Sequence, residues 1–539
     1  MSPRHHRTQP LTRLGFGTYK GMMRSRRGSF IVLLASGVLW LPASTGYAHR
    51  APDAQARQAP AGGDIATLRA NGEAAMDASR FEDAEAIFEK LVGLTPADPI
   101  ARLQLGMART MSGRAAEAIA PLREALRLRP DLLPAKLFLG IAYMEVNRPK
   151  DAVAPLRQVV QADGSNVNAR QALAEALLAL EQFGEASVQL EAVTKAQPAL
   201  PQVWAALGRT YEGISRAAFA RLQEIDPDSP YVWLLVADVM VVEEKHAQAF
   251  DLIRKAQEAL PTLPGVHRQL ATVYAASGHA DWAAVEQQRA DAEKPACATV
   301  PVACAYLAGK YRDVITRTAT ATQATALYWR ARAANDLAIG AFGTLEQLPP
   351  SVDRFVVRAG IARDQGQPLE AAAQLREALK LAPGDPGLER DLAGALYASG
   401  DVEQALPLLE KLLASNPNAP DLLIAVGDGL LRGTQVERAV TLLKKAVSLD
   451  PSQTAAQGLL GRALLQAGDA AGSIPHLEAA LAADQDGSVH YQLAQAVQRT
   501  GNAERAKVLL AEYQKRAEAA APPEPVSPAS APTITPPVP

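Results

Sequence analysis

Aromatic residues make up only 5% of this 539-residue chain, and cysteine occurs twice. With 48% hydrophobic residues in all, the apolar content is therefore mainly Ala, Leu and Val. Ala and Leu lose little conformational freedom in a helix, whereas strands favour aromatic and β-branched side chains, so the bias is towards helix. Signatures of chemistry are missing as well. There is no GxxxxGK[ST] or strand-linked GxGxxG to cradle a phosphate, no HExxH and no GxSxG. Beyond the first 48 residues only His49, His246, His267, His279, His476 and His490 remain. None pairs with another at metal-ligand spacing, and His476 and His490 fall on positions expected to be solvated. The sequence thus presents no catalytic, cofactor-binding or metal set, and the expectation is a protein that is not an enzyme and needs no cofactor.

Positive charge is scarce except at the start. The formal charge is −2, but residues 1–48 hold seven Lys/Arg and no Asp/Glu. That leaves 48 of the 55 basic residues against 57 acidic ones, a net of −9. Such a chain has no general electrostatic reason to bind nucleic acid. The basic head has the layout of an export signal: MMRSRRG (22–28), the uncharged SFIVLLASGVLWLP (29–42), then ASTGYA ending in small residues at Gly46 and Ala48. The reading is a signal peptide over 1–48, with native translation starting as late as Met22, and an exported, periplasmic or secreted product. The alternative is retention as a membrane anchor, the only route to the membrane that the sequence offers, since residues 28–48 are uncharged and long enough to span a bilayer. Residues 49–64 form a flexible leader. At the far end, 517–539 is a Pro/Ala-rich tail, expected to be extended and solvated.

Between these ends the chain repeats itself. Pro96, Pro130, Gly164 and Pro198 stand 34 residues apart, as do Pro383, Pro417 and Pro451. A small residue stands 12 positions before each proline slot, as at Ala84, Ala118 and Ala152, and another 12 before that, as at Gly72, Gly106 and Gly140. Repetition at this period means stacked units that cannot bury their apolar faces singly. Small residues let two antiparallel helices approach. Gly or Asn at 113, 147, 366 and 400 supplies the connecting turn. The register fails at 201–229, five residues short with a truncated second helix ISRAAFARLQEI, and again over 298–350.

The phrases WAALGRTY (204–211), LFLGIAY (137–143) and LLGRALL (459–465) resemble the tetratricopeptide repeat (TPR), and the resemblance covers about 65–516. It implies an all-α, right-handed α-solenoid of stacked antiparallel helix pairs, in two arrays: 65–297 with seven units and 351–516 with five, separated by a degenerate joint at 298–350. Cys297 and Cys304 lie at the start of that joint. In one helix they would be about 10 Å apart, too far to bond. Pro301 argues for a helix start between them, which leaves either a disulfide or two unpaired thiols, and the disulfide suits an exported chain.

The resemblance further implies that the first helix of each unit lines a concave groove for other proteins or peptides. In the second and third units the groove positions are Ile100, Leu103, Met107, Leu137, Ile141 and Met144, an apolar strip that either meets a partner or is covered by the chain itself. In the second array they are Arg363, Arg390, Tyr397, Arg462, Tyr491, Gln495 and Gln498, suited to a polar or acidic peptide. No unit carries the Lys and Asn pair with which some family members clamp chaperone tails. The functional expectation is a non-catalytic interaction scaffold in an envelope or secreted assembly, the alternative an accessory subunit that positions a carbohydrate-active or export enzyme.

Overall fold

The computed structural model describes residues 62–433, 435–520 and 533–537. The signal segment and almost all of the leader lie outside the described residues. Among those residues there are 26 α-helices and no strand. They divide into two compact units, 62–349 together with 533–537, and 350–520.

The first unit opens with α1 (Gly62–Asp77), α2 (Phe81–Leu94), α3 (Pro99–Met111), α4 (Ala115–Leu128), α5 (Leu133–Glu145), α6 (Pro149–Ala162), α7 (Val167–Ala179) and α8 (Phe183–Ala196). It continues through α9 (Pro201–Ile225), α10 (Pro230–Val242), α11 (His246–Ala259), α12 (Val266–Ala276), α13 (Ala280–Ala292), α14 (Pro301–Leu307), α15 (Tyr311–Arg317) and α16 (Ala324–Gln347). The second unit holds α17 (Val352–Asp364), α18 (Pro368–Leu381), α19 (Pro386–Ala398), α20 (Val402–Ser415), α21 (Pro420–Arg432), α22 (Val436–Leu449), α23 (Thr454–Gln466), α24 (Ala470–Ala480), α25 (Ser488–Arg499) and α26 (Ala503–Ala520).

Local signals place the helix ends. Proline occupies the first turn of α3, α6, α9, α10, α14, α18, α19 and α21, where its missing N–H costs no hydrogen bond. Asp98, Asn166, Asp385 and Asp401 accept from backbone N–H groups one to three residues into their helices. The turn inside eight of the pairs holds a residue at positive φ, filled by Gly113, Asn147, Gly366, Gly400 and Gly468, and by Ser79, Glu181 and Glu244 where no glycine is available.

Within a pair, the small residue of the first helix meets a large residue 16 positions later. A Cβ on Gly106 would lie 2.4 Å from Leu122, one on Gly140 2.4 Å from Leu156, one on Gly427 2.7 Å from Leu443 and one on Gly461 2.5 Å from Leu477. These leucines are fully buried, each contributing about 2 kcal/mol through removal from water. In the second unit the rule generates five pairs in sequence: α17 with α18, α19 with α20, α21 with α22, α23 with α24, and α25 with α26.

The first unit breaks the rule at Gly208. Its space is filled by Phe342, which would stand 2.3 Å from an added Cβ, and not by the residue 16 positions on, Glu224. The turn due near Ser215 does not form. Residues 201–225 run as one helix, α9, and its packing partner along its length is α16. An early residue of α9 meets a late residue of α16, so the two run antiparallel. This corrects two expectations. The segment ISRAAFARLQEI is not a truncated second helix but the continuation of the first. Residues 324–347, expected as part of a degenerate helical joint, form one 24-residue helix that supplies the missing second helix from far downstream. The physical reason is exposure: Gly208 and its neighbours present an apolar face that only a second helix can cover, and Leu327, Ala331, Ala334, Ala338, Ala341 and Leu345 give α16 the matching stripe. The α10–α15 segment is therefore enclosed in sequence between the two members of one helix pair. The expected joint, 298–350, belongs to the first unit up to residue 349.

The disulfide joins Cys297, in the loop, to Cys304, in α14, with Cα atoms 5.6 Å apart. The tail also departs from expectation, because α26 continues to Ala520 and residues 533–537 pack on the first unit.

The pairing of α9 with α16 makes a direct prediction. Gly208→Ala drives a Cβ into Phe342 and is expected to lower stability by about 1–3 kcal/mol, and Phe342→Ala by about 3 kcal/mol. Ile339→Ala, on the exposed face of the same helix, should change it by less than about 0.5 kcal/mol. Urea unfolding of the three variants beside the parent distinguishes a structural helix pair from a loosely attached α16.

Candidate interaction surfaces

First helices carry the candidate groove positions, and the two units treat them differently. In the first unit, Leu103 and Ile141 are buried in a core cluster, with Met107, Leu137 and Met144 packed half-buried against it. Ile100 is also half-buried. The first helices α3, α5 and α7 touch one another in succession, so the apolar strip is taken up between neighbouring units. Leu103 and Ile141 thus cannot serve as presented groove contacts, because the close spacing of first helices removes them from solvent.

Farther along, the chain covers its own groove. The α16 residues Tyr328, Arg332 and Asp336, one helical turn apart, face the first helices of later pairs. Arg332 Nη1 donates to Tyr328 Oη at 3.0 Å, and its Nε lies 3.5 Å from Asp238 Oδ2 of α10. Gln269 of α12 donates through Nε2 to Asp238 Oδ1 at 2.8 Å and accepts from Tyr328 Oη at 3.3 Å. The guanidinium carbon of Arg332 also sits 5.1 Å from the ring centroid of Tyr306. Burial pushes the Asp336 carboxyl up, opposed by hydrogen bonds from Tyr306 and Tyr311 and by the charge of Arg332. Asp238 occupies the register position that would face a ligand, and here it faces α16. The i, i+4, i+8 series of Tyr328, Arg332 and Asp336 was the sequence signal for this network.

In the second unit the same positions stay more open. Arg363 and Arg390 are exposed. Arg363 meets only its neighbour Asp364, at 3.5 Å, and Arg390 makes no ion pair among the described residues. The same two first helices carry Gly360, three residues before Arg363, and Gly394, four residues after Arg390, and at each an added Cβ would meet nothing within 4 Å. Neither glycine is required by packing, and the space above both is free for an incoming backbone. Tyr397 borders this area, but its hydroxyl is committed to the buried carboxylate of Asp428. Asp428 also holds Arg462 at 2.6 Å and Arg432 at 3.0 Å. Arg462 is therefore neutralised from within and is not available to an acidic ligand in the way its register position implies. Asp428, one residue after the packing glycine Gly427, organises this end of the face. Tyr491 is exposed and pairs with Tyr513, ring centroids 5.2 Å apart; Gln495 is half-buried and Gln498 exposed.

The histidines need one correction. His490 is buried, and its Nδ1 lies 2.5 Å from Asp484 Oδ2. The 3₁₀ turn Leu481–Ala483 before α25 brings that carboxylate over the helix start. His476 is half-buried and shares a hydrogen bond with Gln457 at 2.7 Å. Among the described residues no group of three or more His, Cys, Asp or Glu is placed to hold a metal ion, and no helix is long and apolar enough to cross a membrane.

The fold and its faces define an all-helical repeat protein built from stacked antiparallel pairs. Tetratricopeptide repeat families match residues 69–132, 143–210, 362–426 and 424–488, and the chain is a tetratricopeptide-repeat protein. Solved structures similar to parts of it include MamA from Desulfovibrio magneticus RS-1, at 22% identity over 32% of this chain and 97% of that one, TM-score 0.29. Another is a thermophilic TPR protein of Thermus thermophilus, at 21% identity over 31% of this chain and 92% of that one, TM-score 0.26. No curated protein matches the chain.

Glu145, the last residue of α5 and next to Met144 of the strip, yields a pH prediction. Burial pushes its carboxyl up to about 7. Between the ordinary glutamate value and that one, the folded chain retains a proton that the unfolded chain has released, so stability falls as pH rises through this window. Glu145→Gln is expected to raise the melting temperature most at pH 8 and least at pH 5. Equal gains at both pH values would show the carboxylate to be solvated in the native chain.

Proposed function

We propose that the protein is a non-catalytic interaction scaffold that binds other proteins or peptides along the first-helix face of its second unit, within an envelope or secreted assembly. The observation that carries the reading is the open shelf above Gly360 and above Gly394, on the two first helices that also carry the exposed Arg363 and Arg390. The shelf admits a backbone closely, and two exposed guanidinium groups on adjacent first helices favour carboxylates through forked hydrogen bonds. An acidic or polar segment in extended form fits this arrangement, and the net negative charge of the chain disfavours nucleic acid as the partner. Selection from a random peptide library is expected to enrich Asp- and Glu-rich sequences. Arg363→Glu with Arg390→Glu should abolish that enrichment. A selected set without acidic bias, or one that the double variant still binds, would place the working surface elsewhere.

The assembly is proposed to be outside the cytoplasm. The Arg-rich, then apolar, then small-residue order of 22–48 supports export, as does a disulfide bond, which persists in oxidising compartments. The mature protein recovered from its native cells is expected to begin at His49. An intact N-terminus with membrane-bound protein would instead indicate the retained anchor.

A further inference from the structure

The last described residues of the chain, Thr533–Pro537, occupy a site on the first unit. Tyr274 of α12 is buried, and its hydroxyl donates to the backbone carbonyl of Thr535 at 2.7 Å. Ile534 packs against the core cluster to which Tyr274 and Phe250 belong. The site is aromatic. The ring of Tyr274 lies 5.6 Å from Phe250 of α11 and 5.6 Å, edge-on, from Trp282 of α13, which in turn stacks on His279 at 4.2 Å.

The tail has the chemistry such a site selects. Pro536 confines the preceding residue to an extended backbone and removes an N–H donor, so the segment arrives stiff and offers carbonyl oxygens. Little conformational entropy remains to be lost on docking. Aromatic-lined surfaces bind proline-containing segments on this basis, with one polar donor fixing the register. Tyr274 supplies the donor here, and Ile534 supplies the apolar anchor.

We propose that residues 533–537 are an intramolecular ligand of a proline-segment site centred on Tyr274, whose ring neighbours are Phe250 and Trp282, and that the chain end occupies it in cis. Segment and site belong to one chain, so docking in cis is unimolecular and independent of protein concentration. Modest intrinsic affinity is then sufficient for occupancy, and a partner bearing a similar segment must compete with the tail.

A labelled peptide of the last seven residues, TITPPVP, tests this by fluorescence anisotropy against the full chain and against full chain carrying Ile534→Asp, a change outside every helix. The peptide is expected to bind the Ile534→Asp chain at least tenfold more tightly than the parent, whose own tail blocks the site. Adding Tyr274→Phe to that variant should weaken binding about fivefold, the loss of one hydrogen bond. A scrambled peptide should not bind. Equal binding to parent and Ile534→Asp chains overturns occupancy by the tail. No binding of the peptide up to several mM also overturns it, because the segment then has no measurable affinity for the site. Self-association of the parent that Ile534→Asp abolishes would put the tail on a second copy and overturn the cis arrangement.

Discussion

The contact on which the structure depends is the approach of one helix backbone to a large side chain of its partner, permitted by a small residue at the eighth position of the first helix. Where that residue is glycine, a Leu or Phe side chain sits in the space a Cβ would fill. No longer side chain fits without moving two helices apart, and separating them would expose the fully buried leucines beneath. Stability in a stack of this kind is the sum of such pair contacts and of the contacts between neighbouring pairs. That explains why the small residue and its partner 16 positions on recur while the surface letters drift.

The same contact explains the departure in the first unit. At Gly208 the requirement for a covering side chain persists although the local second helix is missing, and α16 satisfies it with Phe342. Once α16 lies along α9, its polar edge meets Asp238 and Gln269, and buried charge must be paired to be tolerated. Arg332 between Asp238 and Tyr328 meets that condition. The consequence for function is that part of the first unit's groove is filled by its own chain, and the strip around Leu103 and Ile141 is closed by packing between neighbours. Open, cationic first-helix surface is left in the second unit around Arg363 and Arg390.

The tail adds a second case of the chain acting as its own ligand. A helix pair and a proline segment are recognised by different physics, ridge packing in one and aromatic contact with a single hydrogen bond in the other. Both leave one surface less available to other molecules. The first unit is in this sense already engaged, whereas the second presents the exposed Arg363 and Arg390.

The 34-residue register, the small-residue slots and the turn glycines were legible in the letters, because each depends on residues close in sequence. They determined the all-α class, the helix pairs from residue 65 to 196 and five pairs over 351–516, whose last helix the structure extends to Ala520. The candidate surface was legible only in part. Arg363 and Arg390 kept the exposure their register implied, but Arg462 and Tyr397 were claimed by Asp428, and Leu103 and Ile141 by neighbouring helices. Periodicity places a residue on a face, and it cannot say what the rest of the chain lays over that face. The pairing of α9 with α16 and the docking of Ile534 beside Tyr274 join residues far apart in the chain. Only the tertiary structure decided them, because burial of an exposed apolar face is satisfied by whichever segment can reach it, and sequence distance does not enter that energy.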